Sequence, residues 1–216
     1  RSGLQETVEL NIVTARRELG RMAEKVEEIF HYFLELFHNP KKKVRARRKD
    51  VEEIVALVEK MQEEITGFLI ECSRENVSEQ TATNINNMVH IAARLESIAD
   101  TSNKLIRLAD RRAEKEISLD DAQIAEIEKY TGMVTEFLAF NKAHLSNRLT
   151  EEQYDEAAAM EKRINSFQKK YRKAAQKRIR TGASVKAELF YLDLLRHIEH
   201  LGDFSLSISG ALGQIR

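Results

Sequence analysis

The sequence predicts an all-α protein of six long antiparallel helices, arranged as a duplicated three-helix bundle. Three observations predict this fold. Apolar residues recur with helical spacing over long stretches, no segment alternates in the manner of a strand, and the 216 residues include one proline and eight glycines. A hydrophobic fraction of 42% beside a charged fraction of 32% is typical of amphipathic helices that share a core.

The first predicted helix, residues 4–38, carries one continuous apolar stripe. From Leu4 to Leu36, apolar residues follow one another at steps of three or four, which places them on one helix face. The helix should end before Pro40, because the residue that precedes a proline is biased out of the helical conformation. A second helix is then predicted over residues 44–74.

Capping patterns set the boundaries of the remaining helices. In these patterns the side-chain oxygen of the first residue accepts a hydrogen bond from a backbone N–H in the first turn. The side chain of an acid or amide three residues later accepts one from the backbone N–H of the first residue. The patterns are "NVSE" at 76–79, "SLDD" at 118–121 and "TEEQ" at 150–153, and "TGAS" at 181–184 supplies a glycine stop and a new cap. The remaining helices are therefore predicted at 78–115, 119–147, 151–180 and 184–213.

Two hexapeptides reveal an internal repeat. "LESIAD" at 95–100 and "IEHLGD" at 198–203 share the order aliphatic, glutamate, any residue, aliphatic, small residue and aspartate. Each lies midway along the third helix of a set of three. The sequence therefore predicts repeats at 1–116 and 117–216 that together form one structure over the whole chain.

Composition excludes several classes of protein. Lys plus Arg and Asp plus Glu both number 35, so no global field recruits nucleic acid. No apolar run approaches the length of a membrane span, and no signal peptide is visible. The single cysteine, Cys72, has no intramolecular partner, which favours a reducing compartment such as the cytoplasm. No nucleophile constellation or phosphate-binding loop is present, so the sequence predicts no enzyme.

Each hexapeptide places a glutamate and an aspartate on one helix face, Glu96 with Asp100 and Glu199 with Asp203. Like charges at this spacing slightly destabilise a helix. The aliphatic neighbours also exclude part of the water around the carboxylates, which makes their charge more costly. Such a pair needs a cation. An arginine such as Arg196 would serve, and so would a metal ion, for which oxygen ligands select hard or borderline cations.

Two further acidic elements share this spacing. "EKRIN" at 161–165 puts Glu161 and Asn165 on one face of the fifth helix, from which they could add oxygen atoms to a site on the sixth. Glu59 and Glu63 have the same spacing in the second helix. The sequence alone does not fix their register, and exposure to solvent is the simpler interpretation.

Two basic runs also stand out. "KKKVRARRK", Lys41–Lys49, holds seven basic residues in nine, a composition found in nucleic-acid arms, solvated helix starts and contacts with anionic lipid. A solvated surface is the first interpretation and lipid contact the second. "KKYRKAAQKRIR" at 169–180 contains Tyr171 but lacks the interleaved aromatic residues that stack on bases, so no nucleic-acid partner is expected.

The hexapeptides, each in the last helix of a three-helix repeat, resemble the Glu-x-x-x-Asp signatures of PhoU-type proteins. The longer run "MEKRINSFQKKYRKAAQKRIRTGASVKAELFYLDLLRHIEHLGD" at 160–203 resembles the PhoU-like domain that follows the membrane part of bacterial sodium/phosphate cotransporter-family proteins. As an arrangement of helices the resemblance covers nearly the whole chain. It is strongest in the second half.

The resemblance implies a pair of three-helix bundles, a cytoplasmic location, regulation of phosphate uptake and, in some members, multinuclear metal sites. The implied ion is divalent or trivalent, and Fe, Zn, Mn and Mg are all compatible. Transferred to the matching positions, the candidate ligands are Glu59, Glu96, Asp100, Glu161, Asn165, Glu199 and Asp203.

Two departures from the family pattern distinguish the two candidate sites. The usual aspartate of the fifth helix is Asn165 here, a neutral and weaker ligand, and the second helix has Val55 where an acid is expected beside Glu59. The resemblance therefore favours the site in the second repeat over the one in the first.

The resemblance also implies a partner, a membrane transporter module on the same polypeptide upstream of Arg1. The chain begins without an initiator methionine, which suggests a fragment of a longer protein. The expected location is the cytoplasmic face of the plasma membrane, with the isolated fragment soluble. A free-standing phosphate-signalling regulator and a metal-free helical scaffold are the alternatives, and homo-oligomerisation is left open.

Overall fold

The computed structural model describes the backbone of residues 2–39, 42–74 and 77–215, and the side chains of 10–39, 43–74 and 77–215. This part of the chain is helical and contains no strand, which confirms the all-α prediction. The helices are α1 (Ser2–His38), α2 (Lys42–Arg45), α3 (Arg48–Ser73), α4 (Glu79–Glu114), α5 (Asp121–His144), α6 (Glu151–Arg180) and α7 (Val185–Gln214).

The predicted second helix, 44–74, is divided into two by a turn at 46–47, so the described residues form seven helices rather than six. The division has a tertiary cause. The buried hydroxyl of Tyr32 on α1 donates a hydrogen bond to the carbonyl oxygen of Val44, 3.2 Å away. The Val44 side chain is itself buried, so this corner is held against the end of α1.

Two of the predicted caps are present as expected. Thr150 and Gln153 exchange side-chain and backbone hydrogen bonds at the start of α6, which makes a complete capping box. Gly182 stops α6 with a φ of +95°, a left-handed conformation that glycine adopts without strain. Ser184 then caps α7.

The other two caps differ from the prediction. The box at the start of α5 is formed by Asp120 and Gln123 rather than by Ser118, so the helix begins two residues later than predicted. The Asp120 backbone N–H donates to the side-chain oxygen of Gln123, and the Gln123 backbone N–H donates to the Asp120 carboxylate. At the start of α4 the cap is Ser78. Asn76, the first residue of the predicted pattern, lies outside the described residues.

The helices pack as two sets, α1 with α3 and α4, and α5 with α6 and α7. The sets meet along α4 and α7, which run antiparallel: His90 Nε2 lies 2.7 Å from the Ser207 hydroxyl, and further along Arg111 lies 3.6 Å from Asp193. The last helix of each set is therefore central. The predicted repeat boundary falls in the connection between α4 and α5.

A buried ion pair joins the three helices of the second set at one end. The Glu188 side chain on α7 is almost fully enclosed and accepts two hydrogen bonds from Arg178 of α6, at 2.7 and 3.1 Å. Gln123 of α5 donates a third hydrogen bond, at 3.1 Å. Because a buried carboxylate is costly unless it is paired and hydrogen-bonded, these bonds fix the three helix ends relative to one another.

Gly202 permits a close approach between α6 and α7. A Cβ atom at this position would lie 3.0 and 3.1 Å from the Cγ2 and Cδ1 atoms of Ile164, which is fully buried on α6. Such contacts are shorter than the separation of non-bonded carbon atoms in a packed interior. The small residue of the second hexapeptide therefore brings α6 against the acid-bearing turn of α7.

Replacing Gly202 with alanine is expected to destabilise the protein, because the buried Ile164 side chain has little room to move. We expect overpacking to cost about 1–3 kcal/mol, set against a gain of about 1 kcal/mol in helix propensity. Urea unfolding followed by circular dichroism measures the difference in free energy.

Gly132→Ala is the matched control for this substitution. Gly132 lies within α5, is exposed, and would meet nothing within 4 Å of an added Cβ atom. The control is expected to stabilise the protein by about 1 kcal/mol. Equal stabilisation by both alanine variants would contradict the close packing described for Gly202.

Candidate metal centre

The second acid pair lies at the seam between α6 and α7. Gln168 of α6 donates a hydrogen bond of 3.2 Å to Glu199 of α7, and Asn165 donates to the Glu161 carboxylate one turn away on α6. Glu161, Asn165 and Gln168 share one face of α6. The structure thus places Glu199 opposite the face of α6 that the "EKRIN" pattern selects.

Burial and mutual repulsion act together on these carboxylates. Burial raises the pKa of Glu199, and the neighbouring charges of Asp203 and Glu161 raise it further, while His200 and Arg172 act in the opposite direction. Glu199 is half-buried and Asp203 is exposed at the edge of the seam. Removal of solvent also raises the pKa of Asp203, again against the influence of His200.

Among the described residues, no basic side chain forms an ion pair with these acids. Arg196, the arginine closest in sequence, bonds instead to Asp193 on its own helix, at 3.2 Å. In the ranges that the structure describes, neither Glu199, Asp203 nor Glu161 has a Lys, Arg or His nitrogen within 4.0 Å. Arg196 is therefore not the counter-charge of this pair, and Arg172 and His200 act on it without a direct ion pair.

Two buried polar atoms border the carboxylates without a hydrogen-bond partner. One is the Asn165 side-chain oxygen, and the other is the hydroxyl of Tyr130 on α5. The Tyr130 ring is fully buried, and its pKa is raised first by burial and then by the charges of Glu199 and Asp203. Buried polar groups are normally paired, so these two atoms are available to bond to another group at the seam.

The first acid pair has a different environment. Asp100 is exposed and bonds to Lys104 on its own helix, at 2.7 Å. Glu96 is half-buried, and its pKa is raised by burial, then by the charges of Asp100 and of Glu59, an exposed residue on α3. Val55 is partly buried against the core. The first set thus brings three candidate acids together but supplies its own cation.

The donors at the α6–α7 seam are all oxygen atoms, the carboxylates of Glu199, Asp203 and Glu161 together with the amide oxygen of Asn165. Oxygen donors of this kind suit hard cations. Among the side chains that the structure describes, no three from His, Cys, Asp and Glu converge closely enough to hold a metal ion, so binding one would require these side chains to move together.

Two residues at this seam, Gln168 and Tyr130, lie outside the acidic patterns of the sequence. Gln168 follows Glu161 and Asn165 at the next helical step, so extending the face by one turn would have found it. Tyr130 lies on a different helix, and no local pattern connects it with the acids. Only the packing of α5 against α7 brings it there.

The basic segment Lys41–Lys49 carries less unpaired positive charge than its composition suggests. Lys41 and the side chain of Lys42 lie outside the described part of the chain, while Lys43 and Lys49 are exposed. The three arginines all contact acids: Arg45 with Asp110 and Glu114, Arg47 with Glu35, and Arg48 with Glu52 and Asp110, at 2.6–3.8 Å. Much of this positive charge is therefore neutralised within the protein.

None of the helices over the described residues combines the length and the hydropathy needed to cross a bilayer.

The sequence matches the PhoU domain over residues 19–109, which include about half of α1, all of α3, and α4 except its last five residues. This match falls in the first half of the chain, whereas the sequence motifs placed the strongest resemblance in the second. A search of the curated proteins found no match.

The fold agrees with that of solved structures over nearly its full length. PhoU from Pseudomonas aeruginosa superimposes with a TM-score of 0.83 at 17% identity, covering 94% of this chain and 96% of that one. Two PhoU-like proteins from Shewanella oneidensis MR-1, one described as a phosphate regulatory protein, give TM-scores of 0.61 and 0.60. Each is 10% identical, with 93% of this chain and 98% of the other covered. The chain therefore has the PhoU fold.

Removing the charge of Glu199 is expected to stabilise the metal-free protein near neutral pH. Its raised pKa means that the folded state favours the protonated carboxyl, so this contribution to stability is present below the ordinary value of 4.5 and is lost as the pH rises through the folded-state pKa. Glu199→Gln should therefore be more stable than wild type at about pH 7, with the difference vanishing near pH 4.

The measurement is urea unfolding in the presence of a chelator across this pH range. Glu156→Gln serves as the control, because Glu156 is an exposed acid on α6 without an ion partner in the described residues. It should match wild type throughout. A Glu199→Gln variant no more stable than wild type at neutral pH would contradict the repulsion described for the seam.

Proposed function

We propose that this chain is a PhoU-type regulatory module that controls phosphate uptake by binding a partner protein at the cytoplasmic face of the membrane. The observation that carries the proposal is the agreement with PhoU over the whole chain, at a TM-score of 0.83, together with the PhoU domain at residues 19–109. A regulator of this kind acts through its surfaces. Catalysis forms no part of the proposal.

The module is proposed to be the cytoplasmic end of a sodium/phosphate cotransporter-family protein, with the transporter upstream of Arg1. The resemblance of residues 160–203 to such domains supports this arrangement. A free-standing regulator is the second candidate, because this fold accounts for 96% of the solved PhoU chain and 98% of two PhoU-like chains. Several membrane spans encoded upstream of Arg1 would support the first candidate, and their absence there would support the second.

A metal ion is proposed to bind at the α6–α7 seam. Glu199, Asp203 and Glu161 would hold it with their carboxylates, and Asn165 would add its amide oxygen. Support comes from the uncompensated charge of the acids and from the buried, unpartnered Asn165 oxygen. A bound cation would neutralise the carboxylates and leave coordination positions for water, phosphate or a partner. Carboxylate and amide donors suit Mg²⁺ and Mn²⁺ better than they suit Zn²⁺, with Fe between them.

The first set is proposed to bind metal more weakly. Glu96, Asp100 and Glu59 lie within electrostatic range of one another, but Lys104 occupies the exposed side of Asp100 at 2.7 Å. A metal ion would have to displace this ammonium group. The loss of an acid at Val55 removes a further ligand.

Adding the right ion is expected to stabilise the wild-type protein, and Asp203→Asn is expected to abolish most of the gain. An ion that binds only the folded state at 100 times its Kd contributes about 2.7 kcal/mol, which corresponds to a Tm increase of about 5–10 °C for a chain of this size. Thermal melts with Mg²⁺, Mn²⁺, Fe²⁺ and Zn²⁺, each after chelator treatment, measure the effect.

Asp100→Asn is the matched control, because it makes the same change at the equivalent position of the first set. It should retain most of the ion-dependent gain. If wild type and Asp203→Asn respond equally to every ion, the proposed metal site is wrong. If Asp100→Asn alone loses the gain, the metal lies in the first set instead.

A further inference from the structure

The charge of α6 is divided along its length. Residues 151–161 contain five acids and no base, whereas residues 162–180 contain nine Lys or Arg residues and no acid. The zero net charge of the chain therefore hides a strongly cationic segment. α6 packs only against α5 and α7 among the described helices, so it lies at the edge of the bundle and one side of this segment faces solvent.

Four of these cations point away from the core. The residues of α6 that pack inward are Ala157, Ile164, Tyr171 and Ala175. At 100° per residue, the exposed residues on the opposite side of the helix include Ser166 and Lys177 beside these four cations. The four, which we call the cationic face, are Lys162, Lys169, Lys173 and Arg180. They extend along about 27 Å of the helix, at a rise of 1.5 Å per residue.

The charge of the cationic face is uncompensated. Across the described parts of the chain, none of its four members has a carboxylate oxygen within 4.0 Å. The arginines of α6 that do form ion pairs lie off this face, Arg163 with Glu136 at 3.1 Å and Arg178 with the buried Glu188. The contrast with the arginines near α2, which are paired with acids, is clear.

Exposed aliphatic side chains follow directly at the start of α7. Val185 and Leu189 are 53% and 57% exposed, and they lie one turn apart on the same helix face. Val185 comes five residues after Arg180, so the aliphatic pair follows the end of the cationic face along the chain. Other large apolar side chains of the described residues, such as Leu10 and Val13, are also exposed, and this pair differs from them in following directly on the cationic segment of α6.

We propose that the cationic face, with Val185 and Leu189, binds the surface of an anionic phospholipid bilayer. Lipid headgroups are mobile and can match a straight row of point charges, and aliphatic side chains enter the boundary between headgroups and acyl chains. The phosphate backbone of a duplex would leave the aliphatic pair without a role, and the face carries no aromatic residue for base stacking. This inference is independent of the phosphate-regulatory function, since it rests on charge and exposure alone.

The test is co-sedimentation of the whole chain with vesicles of phosphatidylcholine, with and without phosphatidylglycerol. Wild type is expected to bind only the vesicles that contain phosphatidylglycerol and to be released by high salt. The triple variant Lys169→Gln, Lys173→Gln, Arg180→Gln should bind at least tenfold more weakly, because each cation near an anionic surface contributes about fivefold to affinity. Leu189→Ser should weaken binding without altering its salt dependence.

A second triple variant controls for net charge. Lys43→Gln, Lys49→Gln and Lys60→Gln remove the same number of exposed cations from other helices and are expected to leave vesicle binding unchanged. Circular dichroism should show the same helical content in all variants, since every substitution is at an exposed position.

Three outcomes would overturn the proposal. The first is wild type that does not bind vesicles containing phosphatidylglycerol. The second is an equal loss of binding in the two triple variants, which would show that only the net charge of the protein matters. In the third, sedimentation velocity without vesicles would show self-association that only the α6 variant abolishes, while vesicle binding is unaffected. The cationic face would then be an interface between protein molecules.

Discussion

The antiparallel packing of α4 against α7 is the constraint on which the rest of the structure depends. Both hexapeptides lie on these central helices, and their aliphatic and small residues face the core. Ile98 and Leu201 are fully buried, as are the small residues Ala99 and Gly202. Because these aliphatic and small residues point into the core, helical geometry places the acids at the outer edges of the α4–α7 pair, where α3 and α6 partly cover them. The carboxylates are therefore close together because the apolar positions of the same motif determine the rotation of each helix.

The two sets of helices place their acid pairs in equivalent positions, but the charges around the two pairs differ. On the side of the first set, Lys104 supplies a cation to Asp100 from the same helix. On the side of the second set, Arg196 bonds instead to Asp193, and Arg172 and His200 act on Glu199 without a direct ion pair. Two related seams thus differ in whether the protein neutralises its own acids. This difference explains why one of them is the better candidate for binding an ion from solution.

Much of the fold could be predicted from the sequence, because its signals are local. Apolar periodicity identified the long helices, and the cap at Thr150 and the stop at Gly182 follow from side-chain chemistry within a few residues. The turn at 46–47 could not be predicted, because the bond from Tyr32 that holds it comes from another helix. The start of α5 was misplaced because two capping patterns overlap in the sequence, and the one formed by Asp120 and Gln123 is adopted.

The same distinction applies to the candidate site. Spacing identified the acids on each helix and the face shared by Glu161 and Asn165, but not the counter-charges, which depend on how neighbouring helices are rotated.

The most direct measurement is anomalous diffraction from crystals of chelator-treated protein soaked in Mn²⁺. We expect a manganese peak between Glu199 and Glu161, at the α6–α7 seam. Crystals that show no peak there, while Glu199 and Asp203 remain free of contacts from neighbouring molecules, would contradict the central claim that this seam is a cation site.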